Sequence, residues 1–329
     1  ACQQQDQQQN MEQAVTPVVK PAPRPKPRPR PVVKPKPRVE SSAESSAFPM
    51  VQNPVSLRPL GKKVSHVPMK GKYVALTFDD GPHPSLTRKA VAILDRHGAK
   101  GTFFMLGENV NRYKSLVASV AASGHELGVH TWSHIKMNAV SRARVDNEVN
   151  RTRNLIGRIS GTYPRVMRPP YGATNQALVN HMYNGYGMAS VLWDVDTCDW
   201  RKPGVSKVIN TAVSKARPGS IILVHDIHAS TINALEGIVT GLQAKGYKLV
   251  TVSELLQISK REAAEAAAAR AAEEAAAKAA AEAAAVQQAA EAIEQAETAA
   301  EQAAESPEQN PEPQPADTAP LKPEDFILN

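Results

Sequence analysis

Between Lys62 and Val252, seven short apolar runs alternate with amphipathic stretches, a pattern that restricts the chain to parallel strands joined by helical crossovers. The runs are 73–78, 102–106, 126–129, 165–168, 189–193, 220–224 and 248–251. Between them, 84–97, 142–159 and 205–216 carry a helical period. Seven such strands predict a barrel related to the (β/α)8 type rather than an open sheet. In that architecture the loops leaving the C-terminal strand ends gather on one face, where chemistry is done.

The rest of the 329 residues cannot build a core. Residues 1–69 are Gln-rich and then alternate proline with cations from Pro21 to Arg38, which predicts an extended, semi-rigid spacer. Residues 259–305 are rich in Ala and Glu and predict a solvated helix without a heptad of large apolar residues. At 1.5 Å per residue such a helix reaches roughly 60 Å, as a spacer or as a contact for an envelope partner. Residues 306–329, rich in Pro, Glu and Gln, predict a disordered tail. The folded domain is therefore expected over 70–258.

Charge follows the same partition. The net +7 resolves into about +5 over residues 1–60, about +13 over 61–260 and about −11 beyond. A cationic body favours approach to an anionic polymer. Its basic residues are not interleaved with aromatics that would stack bases, which argues against nucleic acid. Cys2 and Cys198 are far apart and lie in segments of different character, which argues against a structural disulfide. Ala1-Cys2 followed by a Gln-rich tether resembles the start of a bacterial lipoprotein, so a lipid anchor at Cys2 is expected. The sequence has no stretch long and apolar enough to span a bilayer as a helix.

Polar residues recur at or just beyond the C-terminal ends of the predicted strands. Asp79 and Asp80 close the first run, and His130 and His134 follow the third. Two imidazoles and a carboxylate bind zinc while leaving a position open, the arrangement that cleaves an amide or ester at neutral pH. Adjacent carboxylates at a strand end point apart, so one can ligate while its neighbour acts as a base. The His130/His134 spacing is that of one helical turn, so a loop entering a helix is expected to aim both rings at one ion. Each block alone has a bland reading, a turn at Asp80-Gly81 or a satisfied core histidine, and the metal site rests on their combination.

Five blocks stand in order: Thr-Phe-Asp79-Asp80-Gly, His130-Thr-Trp-Ser-His134, Arg168-Pro-Pro-Tyr171, Asp196-Thr-Cys-Asp199-Trp200 and Leu223-Val-His225. Together they resemble the polysaccharide deacetylase family, the NodB-homology carbohydrate esterases, over about residues 70–258. The resemblance implies a distorted (β/α)7 barrel. It implies Asp80, His130 and His134 as ligands of a divalent metal, Zn2+ or Co2+, and Asp79 as general base. Arg168 would orient Asp79 and lower its pKa. The backbone N–H of Tyr171 would face the developing oxyanion. His225 would be the general acid, its pKa raised by Asp199, with Trp200 and Leu223 walling an acetyl pocket. For Leu223, core packing is an equally good reading.

The activity so implied is N-deacetylation of N-acetylglucosamine in a cell-envelope glycan, peptidoglycan first, in the periplasm or envelope. Chitin or chitooligosaccharide N-deacetylation and xylan O-deacetylation are the same chemistry on other polymers. A catalytically idle glycan-binding anchor is the rival from another class, and Asp79 and His225 argue against it, since binding needs neither base nor acid. The remaining histidines, His83 and His228 among them, and Cys198 receive no role.

Overall fold

A computed structural model describes residues 62–304. The strands are β1 (Lys63–Val64), β2 (Tyr73–Asp79), β3 (Gly101–Met105), β4 (Glu126–Val129), β5 (Val166–Met167), β6 (Ala189–Val191), β7 (Val195–Asp196), β8 (Ile221–His225) and β9 (Lys248–Leu249). They form one sheet in the order β1-β6-β5-β4-β3-β2-β8-β7, with β9 pairing the start of β2. Every ladder is parallel. Among the described residues no ladder joins β7 back to β1, so the sheet curls into an incompletely closed barrel. The seven expected strands are all present. β1 and β7 were not foreseen, since two residues show no periodicity.

Helices α1 (Leu86–Arg96), α2 (Gly107–Arg112), α3 (Lys114–Ala122), α4 (Arg142–Ser160), α5 (Gln176–Tyr186), α6 (Val205–Lys215) and α7 (Ala229–Ala244) make the crossovers. Local chemistry sets their ends. Ser141 Oγ accepts from Arg144 N at the start of α4, and Asn175 Oδ1 accepts from Leu178 N at the start of α5. Both helices stop at a left-handed glycine, Gly161 or Gly187.

Side chains alternate across each strand, so one parity faces the helices and the other the barrel interior. Val74, Leu76 and Phe78 of β2 join Phe103, Met105, Ile222 and Val224 in the larger core beneath the helices, with Phe78 and Phe103 stacked at 4.5 Å. Ala75, Phe104, Val166, Val191 and Ile221 form a second, interior cluster. That cluster is completed by Val252, Leu255 and Leu256 of α8 (Val252–Ala304), which cover it near the N-terminal ends of β2 and β8. On the same interior parity, toward the C-terminal ends, lie Thr77, Asp79, Arg168, Leu223 and His225. The pattern that builds the core thus points these polar groups inward at one mouth of the barrel.

The long helix begins at Val252, earlier than the expected residue 259, because Val252, Leu255 and Leu256 give its first turns a buried face before the Ala/Glu-rich composition takes over. Outside residues 70–258, β1 pairs with β6, Ser259 Oγ donates to Pro68 O, and Glu262 accepts from the backbone N–H groups of Lys70 and Gly71 at 2.8 and 3.0 Å. The chain divides after Ala263 into two compact units. From Ala264 to Ala304 it is helical and almost wholly exposed. No helix among the described residues is long and apolar enough to cross a membrane. The expected lipid anchor at Cys2, the Pro-rich spacer and the tail beyond residue 304 lie outside the described residues.

Candidate active site

Asp79 is the last residue of β2, and His225, the last of β8, lies directly beside it in the parallel register. Arg168 follows β5 and reaches back across the interior. Its Nη1 donates to Asp79 Oδ1 and Thr77 Oγ1, both at 2.8 Å, its Nε to Val191 O and its Nη2 to Leu192 O. The guanidinium also lies over the Phe104 ring, 4.3 Å from its centroid. A charge with no exposure is tolerable here because its donors meet acceptors and its one ion pair is short. The Asp79 carboxyl sits above its ordinary range. Burial pushes it up and outweighs the opposing pull of Arg168, with smaller opposing contributions from His225 and His134. This corrects the expectation that Arg168 brings the pKa of Asp79 down: the guanidinium acts in that direction, but the desolvation it shares with Asp79 is larger.

Asp80 turns the chain with φ 72°, and His130 Nε2 lies near both carboxylates, 3.8 Å from Asp79 Oδ2. Asp80 Oδ1 lies 3.5 Å from His130 Nε2 and 3.3 Å from His134 Nε2. Ligand atoms of Asp80, His130 and His134 all fall within 4.8 Å of one another. Asp80 Oδ1 is buried and accepts no hydrogen bond. An unsatisfied buried carboxylate oxygen between two imidazole nitrogens is a donor set that fits a divalent cation. The outer ring nitrogens are engaged as ligating histidines require: His130 Nδ1 donates to Arg168 O at 2.7 Å, and His134 Nδ1 meets the Tyr171 hydroxyl at 3.1 Å. His130 is held neutral, its pKa pushed down to about 3, chiefly by burial against the upward pull of Asp80.

The two histidines do not enter a helix as their spacing had suggested. Residues 130–136 form a loop in which Thr131 and His134 are both left-handed, with φ 65° and 58°. Convergence of the rings therefore comes from a tight irregular turn and not from α-helical periodicity.

Opposite this group, Asp199 is buried within a 3-10 turn over Asp199–Arg201 and holds His225. Burial lowers the His225 pKa, but the Asp199 hydrogen bond and charge, helped by Asp80 and Asp79, carry it up to about 9. Burial likewise pushes Asp199 up, yet its hydrogen bonds from His225 and Thr231 leave it below its ordinary value.

Asp79, Asp80, His130, His134, Tyr171, Trp200, Leu223 and His225 line a single cleft, with Arg168 and Asp199 buried behind it, so every residue singled out in the sequence meets in one place. Trp193, Asp196 and His228 complete the lining, and His228, left aside above, stands with its ring 6.0 Å from that of His225. Asp226 is a further buried carboxyl that motif reading did not pick out. It accepts from the Thr87 hydroxyl and lies flat against Gly81, where an added Cβ would come within 2.5 Å of Asp226 Oδ2. Burial raises its pKa to about 7. The expectation of no structural disulfide turns on Cys2, which lies outside the described residues.

Residues 66–189 match the model of a family described as polysaccharide deacetylase. A peptidoglycan-N-acetylglucosamine deacetylase of Bacillus cereus is 36% identical over 205 residues, covering 61% of this chain and 96% of that protein. The peptidoglycan-N-acetylglucosamine deacetylase PgdA of Listeria monocytogenes is 37% identical over 209 residues, 62% of this chain. The match spans 44% of that relative, under half its length. The solved structure of peptidoglycan deacetylase PdaC from Bacillus subtilis shares the architecture, with a TM-score of 0.57 and 35% identity over 60% of this chain and 96% of that one.

Proposed function

Because this chain belongs to the polysaccharide deacetylase family, we propose that it hydrolyses the N-acetyl group of N-acetylglucosamine units in a cell-envelope glycan, peptidoglycan, in the envelope or periplasm. The observation that carries the reading is the pairing, across one cleft, of a cation-ready Asp80/His130/His134 group with a base and an acid each held by its own buried partner.

Asp80, His130 and His134 would hold a divalent cation, zinc by the donor set or cobalt in its place, which supplies Lewis acidity to the amide carbonyl and acidifies water. Asp79 takes the proton of the attacking water. With Oδ1 committed to Arg168, Oδ2 is the oxygen left to act, and burial makes it a stronger base than an exposed aspartate. The Tyr171 backbone N–H donates to the developing oxyanion. His225 keeps Nδ1–H on Asp199, so its protonated Nε2 delivers the proton to the departing amine, freeing glucosamine and acetate. Trp200 and Leu223 border the space for the acetyl methyl. We take residues 70–258 as the catalytic domain and Ala264–Ala304 as a spacer helix.

The test is to treat peptidoglycan with metal-loaded protein, digest it with a muramidase and weigh the fragments. Fragments lighter by one acetyl group are expected. Unchanged peptidoglycan with turnover of N-acetylated chitooligosaccharides or acetylated xylan would move the substrate to those polymers, and no turnover of any of them would overturn the activity.

A further inference from the structure

Both histidines of the proposed cation site sit on a turn with two left-handed residues, and an irregular turn needs something to hold it. Glu148, on α4, is the group that does so. It is 2% exposed and belongs to no ligand set. Its Oε2 accepts from two consecutive backbone N–H groups, Trp132 at 2.9 Å and Ser133 at 2.8 Å. Its Oε1 accepts from Ser133 Oγ at 3.0 Å and from Arg144 Nη2 at 2.8 Å. The carboxylate thus occupies the concavity of the turn between His130 and His134, where successive N–H groups converge as they do around a bound anion.

The opposite side of the turn is fixed as well. Gly107 N and Glu108 N, at the start of α2, donate to Thr131 O and Trp132 O at 3.0 and 3.1 Å. The Trp132 ring lies so close to Gly107 that an added Cβ would come within 2.3 Å of it, and the Arg151 guanidinium lies over the ring at 3.5 Å from the centroid. Peptide groups at 131–133 are therefore held from both sides, leaving His130 and His134 little freedom to move apart. Of these restraints only Glu148 is a buried charge that reaches the backbone donors of the turn.

We infer that Glu148 is the positioning residue of the cation site: by satisfying the Trp132 and Ser133 amides it holds His130 and His134 on the same Asp80 oxygen. Its removal opens the turn and is felt first as weaker cation binding rather than as lost proton transfer. The inference rests on the cation site proposed above and adds to it a residue outside the five sequence blocks.

The experiment compares full-length wild type, Glu148→Ala, Glu148→Gln and, as a control, Val149→Ala, a buried apolar residue on the same helix. Zn2+ affinity is measured by calorimetry, Co2+ binding by its visible absorption and stability by thermal melting of the metal-free protein. Glu148→Ala should weaken Zn2+ binding by about ten- to hundred-fold, the usual effect of losing a group that orients ligands. Glu148→Gln, which still offers one oxygen to the two amides, should recover part of that loss and carries the test if the alanine variant does not fold. Val149→Ala should lower the melting temperature with wild-type affinity. Wild-type affinity in both Glu148 variants, or equal loss in Val149→Ala, would overturn the positioning role alone. No Zn2+ or Co2+ binding by wild type would overturn the cation site and this inference together.

Discussion

Asp199 holds His225 by two bonds of equal length: Oδ2 accepts the His225 backbone N–H and Oδ1 its ring Nδ1–H, both at 2.8 Å. The imidazole thereby receives its orientation, and the largest upward pull on its pKa, from one carboxylate. Asp199→Asn should therefore bring the alkaline limb of the deacetylation rate well below its wild-type place near pH 9 and reduce kcat by about 10²- to 10⁴-fold. Stability carries the same signature. A histidine raised from 6.5 to about 9 lends stability that is complete below pH 6.5 and is lost as pH climbs through 9. Thermal melting from pH 6 to 10 should show that decline in wild type and not in Asp199→Asn. Coincident profiles for the two proteins would refute the coupling.

Asp79 and Asp80 should separate cleanly on substitution. Asp80→Ala, His130→Ala or His134→Ala is expected to abolish both tight metal binding and turnover, whereas Asp79→Asn should lose turnover and retain metal. Elemental analysis after dialysis, alongside the deacetylation assay, decides the matter: loss of metal by Asp79→Asn as complete as that of Asp80→Ala would reverse the assignment.

Arg168 combines a buried ion pair with hydrogen bonds to Thr77, Val191 and Leu192. Arg168→Met leaves Asp79 buried without its counter-charge and should cost about 3–5 kcal/mol of unfolding free energy in addition to activity. Arg168→Lys keeps the charge but cannot reproduce the planar fork, so it should rescue stability in part and turnover poorly. Denaturant titration of the three proteins reads the difference, and equal midpoints for Lys and Met would show that the charge is immaterial.

The Glu262 contacts with Lys70 and Gly71 give the domain a measurable edge. A fragment spanning 62–266 should fold and turn over soluble N-acetylglucosamine oligomers at close to the full-length rate, since the described residues beyond 266 are exposed. Ending the fragment at 258 should lower its melting temperature by several degrees, a loss of about 1–2 kcal/mol for a domain of this size. A fully folded but inactive 62–266 fragment would mean that the flanks complete the site.

The strands and the site residues were legible because they lie in apolar runs with polar residues at one end, and because five short blocks recur in order. What escaped was set by contacts distant in sequence. Glu148 meets Trp132 and Ser133 sixteen and fifteen residues away, and Asp226 meets Thr87 across 139. Neither separation leaves a local pattern. The four-residue interval between His130 and His134 fits a helical turn and a tight loop equally well, and only the left-handed backbone at Thr131 and His134 distinguishes them. The sign of the Asp79 shift is not legible in the sequence for a related reason. A charged neighbour can be inferred from a motif, whereas the depth at which the pair is buried depends on Phe104, Trp193 and the rest of the interior wall.

The register that sets Asp79 beside His225 has a mechanical consequence. Neighbouring strands lie about 4.8 Å apart, so the base and the acid are spaced by a central sheet ladder, while Asp80, His130 and His134 ride on connecting segments. The two halves should then fluctuate on different scales. Amide hydrogens of β2 and β8 should exchange only on global unfolding, whereas those of residues 134–136, beyond the peptides that Glu148 and the start of α2 hold, should open locally and be quietened by the cation. Chelation would loosen the cation half while leaving the proton-handling half standing, so metal-depleted protein should remain folded and recover its chemistry on reloading without refolding.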